Sequence, residues 1–130
     1  MRPEATNWLK GADYDLESAR YMLSSQRYLY VVFLCHLALE KLLKALVSEV
    51  TQTQAPRSHD LVYLIKRSGI SPDSRHMDFI SIMNNASIIT RYPEDFQLAI
   101  KEFSVDIAGD YLQKTEEVIK WLKQRPELNE

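Results

Sequence analysis

The sequence is poor in the residues that cross-link a chain or interrupt it. Cys35 is the only cysteine among 130 residues, so an internal disulfide is excluded and a thiolate zinc site is disfavoured. Its place inside an apolar stretch favours a buried, unreactive thiol over a nucleophile. With only three glycines and five prolines, the chain has no Gly-rich phosphate loop and no Gly-x-Ser-x-Gly elbow.

An excess of one charge and a long hydrophobic run are missing too. The net charge of −2 gives no general basic surface for nucleic acid, so DNA is not an expected partner. No apolar run reaches the ~18–20 residues of a membrane span, and residues 1–5 lack the apolar region of a signal peptide. We therefore expect a cytoplasmic protein without a membrane partner.

Three long segments of the sequence repeat apolar residues every three or four positions, which is the period of one face of a helix. This pattern predicts long helices over about 3–24, 28–50 and 97–123. Two shorter helices are predicted over about 60–68 and 72–86. No segment shows a convincing strand pattern.

Turn and capping residues mark the ends of these segments. The two-residue joint Gln26-Arg27 should fold the second helix back antiparallel to the first. Ser58 or Asp60 is a candidate cap for the third helix, which should stop at Gly69. Ser71-Pro72 places a serine cap and a first-turn proline at the start of the fourth helix.

A break is predicted over 90–95, because the residue before a proline is pushed out of the helical region. The sequence therefore predicts an all-α fold, an up-and-down bundle of about five helices, three long and two short. A chain of 130 residues forms one domain over 1–130, with its core at about 4–123.

A polar stripe runs along the apolar second helix. His36, Glu40 and Lys44 are four residues apart and share one face of a helix. The stripe has three interpretations: a functional site, a seam between the two subunits of a dimer, or a solvated edge of the helix. A metal site would need a further ligand, which is not evident. Alternatively, Glu40 forms ion pairs with Lys41 or Lys44, within the helix or across a dimer, and the stripe lines a cleft between the second helix and the last.

Arg91 and Tyr92 lie at the break before the last helix. An arginine guanidinium donates paired hydrogen bonds to a phosphate, and a tyrosine ring offers a face on which a base can stack. This break is therefore a candidate nucleotide contact, although Glu94 and Asp95 would repel phosphate. In the alternative interpretation, Arg91 pairs with an acidic neighbour and Tyr92 only packs the corner.

His59 and Asp60 lie at the start of the third helix. A histidine beside an aspartate is a candidate acid–base pair. Sequence neighbours do not normally face each other on a helix, however. The alternative is that Asp60 caps the helix and His59 bonds to the backbone.

Four segments, in this order and in a chain of this length, carry a family resemblance. The segments are Ala12-Asp13-Tyr14-Asp15-Leu16, the run from Tyr28 to Lys44 with its core Ala38-Leu39-Glu40-Lys41-Leu42-Leu43-Lys44, Ser58-His59-Asp60-Leu61, and Arg91-Tyr92-Pro93. With them the chain resembles the HEPN domain, the nucleotide-binding domain of higher eukaryotes and prokaryotes, from about Ala5 to Leu122.

The resemblance implies a helical bundle that usually forms a dimer. Many prokaryotic members are encoded beside a minimal nucleotidyltransferase, in pairs that act as toxin and antitoxin. Some members are metal-independent ribonucleases, which carry an arginine followed after four to six residues by a histidine. No histidine follows Arg91, and His76 is the last in the chain, so the ribonuclease motif is absent in its usual form.

Our leading hypothesis is a non-catalytic HEPN-like module that binds a nucleotide and pairs with a minimal nucleotidyltransferase. No cofactor or metal is expected. One alternative is a divergent ribonuclease that uses Arg91 with His59, and the other is a plain dimerisation module without a small ligand. The candidate ligand contacts are Arg91, Tyr92, His59, Lys41, Lys44 and Glu40.

A homodimer also has a physical motive beside the resemblance. A bundle of three long helices should leave the second apolar side of the helix at 28–50 poorly covered. Burial of that side against a second subunit would remove the exposure.

Overall fold

The computed structural model describes residues 1–129 and contains six α-helices. Their bounds are α1 Pro3–Ser24, α2 Tyr28–Thr51, α3 Leu61–Ser68, α4 Ser74–Arg91, α5 Phe96–Glu102 and α6 Val105–Lys123, followed by a 3-10 turn at Pro126–Leu128. The described residues contain no β-strand. The all-α, up-and-down bundle predicted from the sequence is confirmed, with six helices in place of about five.

The core of the bundle is helix α2. Fifteen of its 24 residues are buried, because α1, α3, α4 and α6 pack around it. One apolar side of α2 is only partly covered, as expected from the sequence: Tyr30 is 46% exposed, and Phe33 and Leu37 are half-buried. The homodimer stays a prediction and keeps this motive.

The first three helices begin and end close to their predicted positions. The α1–α2 joint closes with a hydrogen bond of 2.9 Å from the Arg27 amide to the Met22 carbonyl oxygen. Asp60 caps α3 by accepting from the amide of Tyr63 at 3.1 Å. Gly69 ends α3 at φ 74°, a left-handed conformation that glycine adopts without a steric penalty.

Helix α4 differs from the prediction at both ends. Its cap is Asp73, which accepts from the amide of His76 at 2.8 Å, so Ser71 is not the cap and Pro72 precedes the helix. The helix continues to Arg91, five residues past the predicted end at 86. The break comes only there, two residues before Pro93.

The predicted last helix is two helices in the structure. The chain is extended at Phe103, which is buried and whose ring lies 6.2 Å from that of Tyr111. Ser104 then caps α6 by accepting from the amide of Ile107 at 3.3 Å. Burial of Phe103 and a serine cap at the next position interrupt a helical pattern that is continuous in the sequence.

Within residues 1–129, none of the helices combines the length and the apolar character that a membrane crossing requires.

Candidate functional site

The carboxylate of Glu40 joins three separate parts of the chain. Its side chain is 5% exposed, and Oε1 accepts from His59 Nδ1 at 2.9 Å and from Arg91 Nη2 at 3.2 Å. Oε2 accepts from Lys44 Nζ at 3.1 Å. We call Glu40, His36, Lys44, His59 and Arg91 the Glu40 cluster.

Two local features place His59 and Arg91 at this carboxylate. Asn84 of α4 accepts from the Leu61 amide at 2.8 Å and donates to Asp60 Oδ1 at 3.1 Å. These bonds hold the start of α3 against α4, so His59, which precedes that start, lies over α2. Arg91 is the last residue of α4, and the helix is therefore long enough to bring its guanidinium to Glu40.

His36 lies at the bottom of the cluster and is fully buried. Its Nδ1 is 3.5 Å from Arg91 Nη2, which is the long limit of a hydrogen bond, and its Nε2 is buried without a hydrogen-bond partner. Burial lowers the pKa of His36 to about 4, against an unperturbed value of ~6.5. The ring is therefore neutral at pH 7.

Positive charge exceeds negative charge in the Glu40 cluster. One carboxylate faces a guanidinium and an ammonium, and each cation also lies over an aromatic ring. Lys44 Nζ is 5.2 Å from the centre of the Trp8 ring, and Arg91 Cζ is 5.2 Å from the centre of the Phe33 ring. Such contacts favour a cation where little water reaches it, so the cluster keeps a surplus of positive charge for an anion.

Beside the cluster is an open cavity of about 250 Å³, lined by Tyr30, Phe33, Thr90, Arg91 and Tyr92. Tyr92 is 72% exposed, so its ring is free to stack on a flat ligand. The cavity thus combines aromatic faces with a guanidinium, which is the combination that a base and its phosphate need.

Most of the residues proposed from the sequence meet here. Arg91, His59, Glu40 and Lys44 form one cluster, and Tyr92 lies on the cavity side of Arg91. The buried stripe is therefore not a solvated edge, and the acidic neighbour of Arg91 is Glu40. Asp60 caps α3, as its alternative interpretation stated, whereas His59 bonds to a side chain and not to the backbone.

Lys41 lies apart from the cluster, so the predicted ion pair of Glu40 with Lys41 is not formed. The predicted cleft between α2 and the last helix is also wrong, because the partners of Glu40 come from α2, α4 and the segment before α3. Lys41 Nζ is 2.7 Å from Asp15 Oδ2 on α1, so this lysine joins two helices away from the cavity. Gly11 makes room for this bridge, because a Cβ there would lie 3.1 Å from Lys41 Cδ.

Sequence reasoning missed Tyr30, Phe33 and Asn84. The first two precede His36 and Glu40 at steps of three or four residues, so they extend the polar stripe along one face of α2. That signal was available in the spacing. The role of Asn84 depends on the packing of α4 against α3, and no local pattern marks it.

Neither a metal centre nor a reactive thiol is formed in the described part of the chain. Residues 1–129 contain no group of three or more His, Cys, Asp or Glu side chains arranged to hold a metal ion. Burial raises the pKa of Cys35 to about 12, so its side chain stays a thiol at neutral pH.

Comparison with known proteins finds one family and two similar folds. The family model of the HEPN domain matches residues 5–125. The crystal structure of TT1696 from Thermus thermophilus is similar with a TM-score of 0.78 and 20% identity, over 95% of this chain and 98% of that one. That of ST0689, described as an archaeal HEPN homologue, has a TM-score of 0.76 and 22% identity, over 95% of this chain and 97% of that one.

No curated protein matches the chain. At these identities the two crystal structures establish the fold, and the family model covers nearly the whole sequence. The chain therefore belongs to the HEPN domain family.

Proposed function

We propose that this chain is a non-catalytic HEPN module that binds a nucleotide beside Arg91 and pairs with a minimal nucleotidyltransferase, in the manner of a toxin–antitoxin pair. The partner and the toxin–antitoxin context come from the family resemblance. The cytoplasmic location stays a prediction.

One observation carries the nucleotide proposal: Arg91 is fixed by Glu40 and at the same time faces a cavity with aromatic walls. A guanidinium held in place loses little freedom when it binds phosphate. The cavity of about 250 Å³ is smaller than the ~300–1,000 Å³ of a typical ligand cleft. It would therefore take a base or a phosphate and leave the rest of the nucleotide outside.

The test is thermal unfolding with and without millimolar ATP, GTP, other nucleotides and short RNA. A ligand at about 100 times its Kd stabilises by about 2.7 kcal/mol, which raises the Tm of a domain of this size by several degrees. We expect one ligand to give this rise, and Arg91→Ala and Tyr92→Ala to abolish it.

The control for this test is Arg20→Ala, because Arg20 lies in an exposed ion pair with Glu116 and should keep the rise. The ligand-induced rise is compared within each variant, so a lower starting Tm of Arg91→Ala does not affect the result. No rise with any ligand, or an unchanged rise in both cavity variants, would contradict a nucleotide site at Arg91.

The partner proposal requires a gene for a minimal nucleotidyltransferase beside that of this chain, and it is tested by co-expression of the two proteins. We expect the two proteins to elute together in size-exclusion chromatography. Separate elution, or the lack of such a neighbouring gene, would contradict the pairing.

A second candidate function is RNA cleavage, and the shared contact of His59 and Arg91 with Glu40 favours it. The Nδ1–H of His59 points to the carboxylate, and the side chain is 58% exposed. Its Nε2 could take the proton of a ribose 2′-hydroxyl, whose oxygen then attacks the adjacent phosphorus while the bond to the 5′ oxygen breaks. Arg91 would offset the charge on the phosphate.

We rank RNA cleavage second because the leaving 5′ oxygen needs a proton donor. The other imidazole of the cluster, His36, is buried and neutral at pH 7, with a pKa of about 4. In the ribonuclease alternative, single-stranded RNA is cleaved in the presence of EDTA, and His59→Ala and Arg91→Ala abolish the cleavage. Equal cleavage by wild type and both variants would indicate a contaminating nuclease.

A homodimer is part of the proposal and follows the family resemblance. Sedimentation at micromolar concentration is the test, and a monomeric mass would contradict it. A dimer without any nucleotide-induced rise in Tm would favour the plain dimerisation module.

A further inference from the structure

The largest run of exposed apolar side chains lies where α4 ends and α5 begins. Ile88, Tyr92 and Leu98 are 63%, 72% and 62% exposed, and they line one open cavity of about 360 Å³. Large apolar side chains with this exposure gain ~25 cal/mol for each Å² that a partner covers. Clusters of them beside a polar rim mark interaction sites in soluble proteins.

The rim of this cavity is acidic. Glu94, Asp95 and Glu102 line it, and no Lys or Arg does. Among the described residues these three carboxylates take part in no ion pair. We call these three carboxylates the rim, and the cavity with this rim and its exposed apolar side chains (Ile88, Tyr92, Leu98) the acidic groove.

The charge of the rim decides what the groove can hold. Phosphate groups would be repelled, which excludes nucleic acid as the occupant. In a two-fold dimer whose axis passes through the groove, the groove meets itself, and a second copy would bring six carboxylates together, three from each groove. An occupant therefore needs an apolar face and positive charges at its edges.

We propose that the acidic groove docks an amphipathic helix of a partner protein, with apolar residues toward Ile88, Tyr92 and Leu98 and Lys or Arg residues toward the rim. Helices bind grooves in this way through anchors at positions i, i+3, i+4 and i+7. Opposite charges at the rim set the orientation and speed the encounter.

This inference rests on the partner half of the proposed function and gives the chemistry of the contact. It does not depend on the nucleotide half, which concerns the cavity on the other side of Tyr92. Tyr92 is the one residue that lines both cavities.

The first experiment uses the full chain and a synthetic helical peptide with Leu at positions i, i+3, i+4 and i+7 and Lys at the flanking positions. A second peptide has Glu in place of each Lys, and Kd is measured by fluorescence anisotropy. We expect the Lys peptide to bind at least about tenfold more tightly than the Glu peptide. Equal binding of the two peptides would overturn the proposal.

Variants then locate the binding on the protein. Leu98→Ser should raise the Kd for the Lys peptide by about tenfold or more, because it removes an apolar anchor of the contact. Tyr21→Ser is the matched control, because Tyr21 on α1 is also 62% exposed. Glu102→Gln should weaken binding and reduce its salt dependence, whereas Glu17→Gln should do neither. Unchanged binding by Leu98→Ser and Glu102→Gln would overturn the proposal.

Two outcomes separate this inference from the proposed function. If the nucleotidyltransferase forms a complex that Leu98→Ser leaves intact, the groove inference fails and the pairing stands. If the peptide binds through Leu98 and Glu102 but the nucleotidyltransferase does not bind, the pairing fails and the groove stands. A dimer that Leu98→Ser converts to monomers would make the groove a seam between copies and overturn the inference.

Discussion

At the scale of single residues, burial distinguishes two ion pairs of equal length. Arg91 and Glu40 are 3.2 Å apart with side chains 15% and 5% exposed, and Arg20 and Glu116 are 3.2 Å apart with side chains 51% and 41% exposed. Water screens the second pair and not the first. The distance is the same, so the energetic difference comes from the surroundings.

Glu40→Gln should therefore destabilise the protein by about 3 kcal/mol, because it leaves Arg91 and Lys44 as buried cations without a countercharge. Glu116→Gln should cost less than about 1 kcal/mol. The measurement is urea unfolding of both variants and the wild type. Similar losses in the two variants would show that the Glu40 cluster is as well solvated as the surface.

The stability of the protein should also depend on pH through His36. Its pKa is about 4 in the folded protein and ~6.5 in an unfolded chain. Between these values the unfolded chain binds the proton and the folded protein does not, so acid favours unfolding. Stability is unaffected by this group above pH ~6.5 and falls by about 3 kcal/mol as the pH drops to 4.

The check is the free energy of unfolding at pH 7 and at pH 4.5, for the wild type and for His36→Gln, whose side chain accepts a hydrogen bond but does not titrate. The wild type should lose more stability than the variant over this range. Parallel losses would mean that His36 is solvated in the folded state.

At the scale of helices, two glycines with the same free space should respond to alanine in opposite directions. A Cβ at Gly69 or at Gly109 would meet no atom within 4 Å, but Gly69 has a φ of +74°. Alanine at Gly69 is strained by about 1–2 kcal/mol. Alanine at Gly109, inside α6, should stabilise the protein by about 0.5–1 kcal/mol.

The Tm of Gly69→Ala and of Gly109→Ala, measured by circular dichroism against the wild type, shows whether each substitution lowers or raises the stability. A stabilising Gly69→Ala would contradict the left-handed end of α3. A destabilising Gly109→Ala would mean that another molecule packs against that turn of α6.

Helix boundaries were predictable where a local signal set them. Asp60 and Gly69 mark the ends of α3, and the joint after residue 24 is fixed by its short length. The split between α5 and α6 was not predicted, because the apolar period continues through it. The Ser104 cap is a local signal, but the burial of Phe103, which goes with the extended chain there, depends on the folded core.

At the scale of the whole molecule, the sequence predicted the fold class and most of the cluster members, but not their arrangement. His59 lies 19 residues from Glu40 and Arg91 lies 51 residues from it. Their meeting depends on how α3 and α4 pack on α2, which no pattern of spacing encodes. The spacing does separate the two lysines: Lys44 lies one turn from Glu40 and pairs with it, whereas Lys41 pairs with Asp15.

The central position of α2 should set the order of hydrogen exchange. Because α1, α3, α4 and α6 cover α2, its amides can exchange only when the whole domain unfolds. Helix α5 buries only Ala99, so it should open locally and exchange at least about tenfold faster. Mass-spectrometric exchange at neutral pH is the measurement, and equal rates in the two helices would contradict a closed core around α2.

Because the ring of Tyr92 forms a wall of both the cavity proposed for a nucleotide and the acidic groove, the two proposed occupants would be thermodynamically linked. A partner helix that fixes the ring changes the affinity of the nucleotide, and by reciprocity the nucleotide changes the affinity of the partner by the same factor. Such couplings are typically about 1–3 kcal/mol. A single tyrosine side chain would then let the cellular concentration of a nucleotide control how much of a protein complex is formed.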